Sequence, residues 1–111
     1  MGAAGEATVT VAGVRARVAE GFLARARGLI GRPPPPPGEG LLIPRCNAIH
    51  TFFMSYPIDA TFLDGEGRVV KTVRGVRPWR AFVWGGFRAR QVLETASDAD
   101  ASARRPCQVE A

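Results

Sequence analysis

From Ala7 onward the chain alternates: Val9 and Val11 stand against Thr8 and Thr10, and after Gly13 the residues Val14, Ala16 and Val18 stand against Arg15 and Arg17. A period of two with one apolar and one polar side predicts an antiparallel hairpin with one wet face. Gly21 then opens a segment in which Phe22, Ala26, Leu29 and Ile30 fall at helical spacing. That predicts one short amphipathic helix closed by Gly28 or Gly31. Leu41-Leu42-Ile43 and the run from Ile49 to Met54 are apolar on both alternating faces, the mark of strands covered on both sides. Ile58 to Leu63 and Arg68 to Val73 read as strands joined by a turn at Asp64-Gly65-Glu66-Gly67. Val83 to Phe87 reads as a further turn, and Arg88 to Thr95 as a strand.

Between the helix and the first doubly covered strand stand five prolines, Pro33 to Pro37, followed by Gly38-Glu39-Gly40. Each Pro lacks a donor and fixes φ, so the stretch forms an exposed, stiff polyproline loop. A spacer is its plain reading, and docking to an SH3-like or WW-like partner the sharper one. Residues 1–5 are small and unpatterned and read as a frayed end. The chain from Ala96 is polar and rich in Ala and Asp, with Val109 its first core candidate. The pattern as a whole predicts a mainly β fold: a small antiparallel sandwich or barrel-like domain with one short helix over residues 6–95, followed by a polar tail over 96–111. An α+β arrangement is the alternative.

Composition narrows the class. A chain of 111 residues with 46% hydrophobic positions is large enough for one core but not for two. There are 15 Lys+Arg against 10 Asp+Glu, a net charge of +5, and Lys71 is the single lysine. An arginine-heavy balance modestly favours an anionic partner, although a phosphate-binding surface would normally recruit Lys as well. Two cysteines are too few for a disulfide scaffold, and the sequence leaves open whether Cys46 and Cys107 pair. No secretory start is visible, and the most apolar stretch, Ala48 to Ile58, falls far short of the roughly 20 residues that cross a bilayer. A cytoplasmic protein without membrane insertion is expected.

Candidate chemistry concentrates in three places. Cys46 and His50 are the one thiol and imidazole close in sequence, but on an extended strand residues four apart stand about 13 Å apart, so a nucleophilic pair requires a bend at Asn47. With one His and one further Cys, a metal site is poorly supplied, and no metal or cofactor is expected. On a strand His50, Phe52 and Met54 face one way and Thr51, Phe53 and Ser55 the other. The first set suits an apolar pocket with a single polar handle, or simply core. From Arg68 to Arg90 there are seven bases and no acid, interleaved with Trp79, Phe82, Trp84 and Phe87. That alternation is what single-stranded nucleic acid binding uses, but a solvated arginine face with core rings is preferred, and nucleic acid is disfavoured. Asp59 and Glu94 each read either as structural partners or as site carboxylates.

The block Ile49-His50-Thr51-Phe52-Phe53-Met54, then Pro57-Ile58-Asp59, Phe62-Leu63-Asp64, Gly67-Arg68-Val69-Val70, Pro78-Trp79-Arg80 and Val92-Leu93-Glu94, resembles the prokaryotic family called Domain of Unknown Function number 192. Arg25-Ala26-Arg27-Gly28-Leu29-Ile30-Gly31-Arg32 resembles that family's Arg-x-x-Gly-Leu-Met-x-Arg element. The resemblance covers roughly residues 8–95 and implies a small, mainly β, sandwich-type domain with a short helix. It supplies no activity, substrate or catalytic set. After Glu94 this chain departs from the family's Gly-Asp step into a last strand, and Pro106 argues against a central strand there.

The function expected is therefore a non-enzymatic domain that binds a small, anionic ligand or a protein partner through His50, Asp59, Trp79 and Arg80. Arg80 clamps an anionic group, Trp79 gives a flat wall, Asp59 holds Arg80 in place and His50 offers a switchable hydrogen bond. No catalytic residue is assigned. Two other classes compete: a hydrolase or isomerase using His50 with Asp59 or Cys46, and single-stranded nucleic acid binding through residues 68–90.

Overall fold

The computed structural model describes residues 7–97. The expected frayed start and the tail with Pro106, Cys107 and Val109 lie outside the described residues. Alternation in the first segment produces β1 (Thr8–Val11) and β2 (Val14–Val18), paired antiparallel. Ala12 and Gly13 join them, both at positive φ, 51° and 77°. Such a two-residue turn has the twist that antiparallel strands require. The helix α1 (Phe22–Arg27) stops at Gly28, whose φ of 56° takes the chain out of the helix. It is shorter than its apolar spacing predicts, because Leu29 and Ile30 already belong to the turns that follow.

The remaining strands are β3 (Glu39–Pro44), β4 (Ala48–Ile49), β5 (Ile58–Leu63), β6 (Val69–Val76), β7 (Val83–Trp84) and β8 (Gln91–Ala96). Among the described residues six of the eight strands form one sheet in the order β1-β2-β3-β8-β5-β6, and β4 pairs with β7 in a second, two-stranded sheet. The fold is mainly β with one short helix. Its large sheet is mixed, because β2 and β3 run parallel, and it is open rather than a closed barrel. The polyproline loop and α1 form the crossover that a parallel pair needs. Among the described residues no helix is long and apolar enough to cross a membrane.

The central strands β3, β8 and β5 bury both faces, as their continuous apolar runs require. On one face Leu41, Ile43, Ile58, Phe62 and Val92 pack with Leu29, Ile49, Met54 and Val83. On the other, Leu42, Leu63 and Leu93 pack with Ala16 and the hairpin valines. The β5–β6 turn forms where Asp64-Gly65 predicts it. The Asp64 carboxylate accepts the Glu66 and Arg68 N–H groups, both at 2.9 Å, and these bonds, the one from Arg68 foremost, hold its pKa below the ordinary value.

Three expectations change. Ile49 to Met54 is not a strand: β4 ends at Ile49, and the Thr51 carbonyl accepts the Met54 N–H at 3.2 Å, closing a turn. Val83-Trp84 is a short strand paired with Ala48-Ile49 rather than part of a turn. The last strand starts at Gln91 rather than Arg88, since the Arg88 region turns and Ala89 N–H bonds the Gly86 carbonyl.

One close approach limits the sequence. A Cβ at Gly85 would collide with the fully buried ring of Phe62. Gly85→Ala is expected to cost about 3 kcal/mol in urea unfolding, as overpacking does, whereas Gly65→Ala, with nothing within 4 Å, changes stability by less than about 0.5 kcal/mol.

Candidate functional site

Thr51 is fully buried and stitches two loops together. Its hydroxyl donates to the Arg77 carbonyl at 2.6 Å and accepts the Arg80 N–H at 2.8 Å. Its own N–H donates to the Arg80 carbonyl, and its carbonyl accepts the Trp79 N–H. This seam brings His50 to the Pro78-Trp79-Arg80 corner through Phe52, whose ring lies 5.1 Å from the imidazole and 6.0 Å from the Trp79 ring. Both His50 and Arg80 are exposed.

Asp59 does not join them. A register shift between Ile58 and Ala60 and the positive φ of Gly75, 63°, turn the Gly75 N–H onto the Asp59 carboxylate at 2.8 Å. The nearest guanidinium to that carboxylate is Arg74, at 3.8 Å, so Asp59 does not hold Arg80. Three of the four expected residues therefore share a rim, and Asp59 serves the β5–β6 pairing. The expected one-sided set His50, Phe52 and Met54 is also broken up, because the turn at 51–54 buries Met54 and leaves His50 outside.

A cavity of about 250 Å³ lies on the other side of the same segment, between the α1 turn and the large sheet. Ile43, Ile49, Met54 and Ile58 make its apolar wall, Leu29 its roof, and Cys46 and His50 its edge. Glu94 faces into it. This residue sits mid-strand on β8, opposite Leu41 on one neighbour and Ala60 on the other, and is 4% exposed. Among the described residues its carboxyl has one hydrogen bond, from the Leu29 N–H. A carboxylate has room for about four. Burial raises its pKa from 4.5 to about 7, so both protonation states are populated near neutrality.

Neighbouring groups set limits on the chemistry. The Cys46 thiol donates to the Ala48 carbonyl at 3.1 Å, and burial foremost, then the Glu94 charge, pushes its pKa up. A thiol held protonated is a poor nucleophile. The Tyr56 hydroxyl donates to the Arg32 carbonyl at 3.1 Å, and burial, then Glu94, raises its pKa too. Arg25 lines the cavity with its guanidinium bound to the carbonyls of Pro44 and Arg45. The His50 Nδ1 accepts the Phe52 N–H at 3.1 Å. Among the described residues no group of three His, Cys, Asp or Glu is placed to hold a metal ion.

Sequence reading weighed Glu94 but left it out of the site. The available signal was parity: Glu94 shares a face with Val92 in a strand apolar on both sides. The contribution of the Gly28-Leu29 turn carried no such signal.

The sequence profile of the DUF192 family, described as an uncharacterized ACR, matches residues 5–104. A UPF0127 protein of Thermococcus sibiricus is 40% identical over 85 residues, which is 73% of this chain and 54% of that protein, so the chain spans about half that relative's length. Two crystal structures share the fold. One, of a protein of unknown function from Novosphingobium aromaticivorans, is 20% identical with a TM-score of 0.68, over 93% of this chain and 79% of the other. The second, from Sinorhizobium meliloti and described as a "putative transcription regulator", is 18% identical with a TM-score of 0.70, over 89% and 83%.

Two measurements check the geometry. Because the native state holds the Glu94 proton more tightly than the unfolded chain, this group's contribution to stability is full below pH 4.5 and is lost as the pH rises to about 7. The loss amounts to about 3 kcal/mol at most. Glu94→Gln is expected to flatten that decline in urea unfolding measured across this range; a variant that declines like the parent would assign the effect to another group. Thr51→Val leaves the Arg77 carbonyl and the Arg80 N–H without their partner, and is expected to cost about 2–3 kcal/mol and to alter the fluorescence of Trp79.

Proposed function

The chain belongs to the DUF192 family, and on that premise we propose that it is a small-ligand-binding domain whose ligand enters the cavity beneath α1 and meets the carboxyl of Glu94. One observation carries this reading. A carboxyl buried on a central strand, with a single backbone hydrogen bond, faces an apolar space into which a second partner fits. Burying such a group without partners costs free energy that an isosteric apolar residue would avoid. A binding site is a physical reason to retain it.

The cavity's size and lining define the ligand class. At about 250 Å³ it lies below the common range for drug-sized ligands, so it suits a short apolar body with one polar head. When protonated, Glu94 donates to a neutral oxygen; when ionised, it takes an N–H or a cation. This differs from the anion clamp expected at Arg80, because Glu94 is acidic and the Arg25 and Arg27 guanidinium groups at the cavity lining are bound to backbone carbonyls. The protonated Cys46 thiol and the separation of Asp59 from His50 favour binding over nucleophilic or dyad chemistry.

The test is a titration of the isotope-labelled protein with n-butanol and n-butylamine, followed by amide chemical shifts. Both probes are expected to move the Leu29 and Glu94 amides. The n-butylamine affinity is expected to rise several-fold between about pH 6 and pH 8 as the carboxylate forms, and n-butanol binding is not. Ala26→Trp, which places a ring on the exposed helix surface at the cavity wall, is expected to abolish both responses. Absence of any response at Leu29 to either probe would overturn the reading.

A further inference from the structure

A second surface is independent of the cavity. The Gly85 N–H bonds the Asn47 carbonyl at 2.8 Å, Ala48-Ile49 pairs with Trp84-Val83, and the Thr51 N–H bonds the Arg80 carbonyl at 2.9 Å. Residues 47–51 and 80–85 thus run side by side as one strip, and the turns at 51–54 and 77–80 close its end. Ile49 and Val83 point into the core, and the alternation leaves Phe82 and Trp84 outside. We propose that the outer side of this strip binds single-stranded nucleic acid, with Phe53, Trp79, Phe82 and Trp84 offering ring faces to bases and Arg77 and Arg80 meeting phosphates.

Two features set this surface apart from an ordinary exposed patch. The first is backbone conformation. Phe53 and Trp79 hold φ of 67° and 69°, each at the third position of a turn, Thr51 to Met54 and Arg77 to Arg80, where a positive φ calls for glycine or asparagine. Bulky residues there are genuine outliers. Yet the two side chains are 67% and 59% exposed and pack on each other with centroids 4.7 Å apart. The fully buried Thr51 holds both turns in place, so the rings are presented to solvent from a strained but supported backbone. Trp84 makes a similar pair with Phe87, edge to face at 4.7 Å.

The second feature is charge. Of the seven bases between residues 68 and 90, Arg68 meets Asp64 and Glu66, Arg74 meets Asp59, and Lys71 and Arg90 bond backbone carbonyls. The side chains of Arg77, Arg80 and Arg88 have no partner among the described residues. In chain order the exposed groups run Arg77, Trp79, Arg80, Phe82, Trp84, Phe87, Arg88, with no carboxylate among them. Rings flanked by unpaired guanidinium groups suit the bases and phosphates of a single strand. A duplex groove wants a helix or long ribbon to enter it, and this strip offers neither. A sugar-binding ring platform wants acids beside it, and none stands between residues 68 and 90.

The experiment measures fluorescence anisotropy of labelled oligothymidylate with the full chain at low and raised salt. Unlabelled duplex, polyglutamate and phosphatidylserine vesicles serve as competitors. Expected are binding of the single strand tighter than of the three competitors, an affinity that falls linearly with the logarithm of salt, and quenching of tryptophan emission. Trp79→Asn relieves the strained turn, so it is expected to keep or raise the melting temperature while weakening binding by about fivefold or more. Phe82→Ser is expected to weaken binding similarly, and reads the same surface should the Trp79 variant unfold. Arg80→Gln is expected to lower the salt slope by about 0.7. Polyglutamate or vesicles that compete as well as the single strand, ring variants that bind unchanged, or no binding at low salt would each overturn the proposal. None of these outcomes touches the Leu29 response that tests the cavity.

Discussion

A carboxyl group buried at the middle of a sheet is the constraint around which this fold is arranged. Glu94 stands on β8 between Leu41 and Ala60, where every neighbouring strand position on that face is apolar. An ionised group there needs a partner, and the chain supplies one from outside the sheet. The helix ends at Gly28, whose positive φ brings the next backbone N–H, that of Leu29, down onto the carboxyl. A Cβ at Gly28 would itself approach Glu94 Oε1 to 3.0 Å. The length of α1, its glycine stop and the position of Leu29 are thus tied to one acidic residue on a distant strand. The space left between turn and sheet is the cavity.

Thr51 plays the complementary part at the opposite side of the segment from Cys46 to Met54. One buried side chain and its backbone satisfy groups of Arg77, Trp79 and Arg80, so two loops that would otherwise be independent behave as one unit. Burial of Thr51 explains the strength of this arrangement, because separating the loops would leave its hydroxyl and peptide groups without partners away from water. Support of this kind is what allows Phe53 and Trp79 to keep unfavourable backbone angles. The same segment therefore faces the cavity with His50, Ile49 and Met54 and faces solvent with Phe53.

Legibility in the sequence followed the range of the interactions. Hairpin β1–β2, a short helix closed by one of two glycines, the Asp64 turn and the doubly covered strand at Leu41 to Ile43 are readable, since each rests on neighbours along the chain. The run from Ile49 to Met54 fits a covered strand by pattern, yet β4 ends at Ile49. The Thr51 bonds to a corner more than twenty-five residues away decide otherwise. Asp59 escapes local pattern for the same reason: whether its carboxylate meets Arg74, Arg80 or a peptide N–H depends on a bulge between β5 and β6. Glu94 was visible as an acid in an apolar strand, but its importance required knowing that β8 is central.

Periodicity, glycine and proline placement and the family motifs by themselves determined a mainly β chain with one short helix and a stiff proline loop. These depend on backbone geometry and side-chain size within a few residues. Only the tertiary structure decided that β2 and β3 run parallel, that Glu94 is sealed beneath the Leu29 turn, and which arginines meet an acid. Burial and pairing are properties of surfaces brought together from distant parts of the chain, and the free energy of a charge depends on what surrounds it in space rather than on what precedes it in sequence.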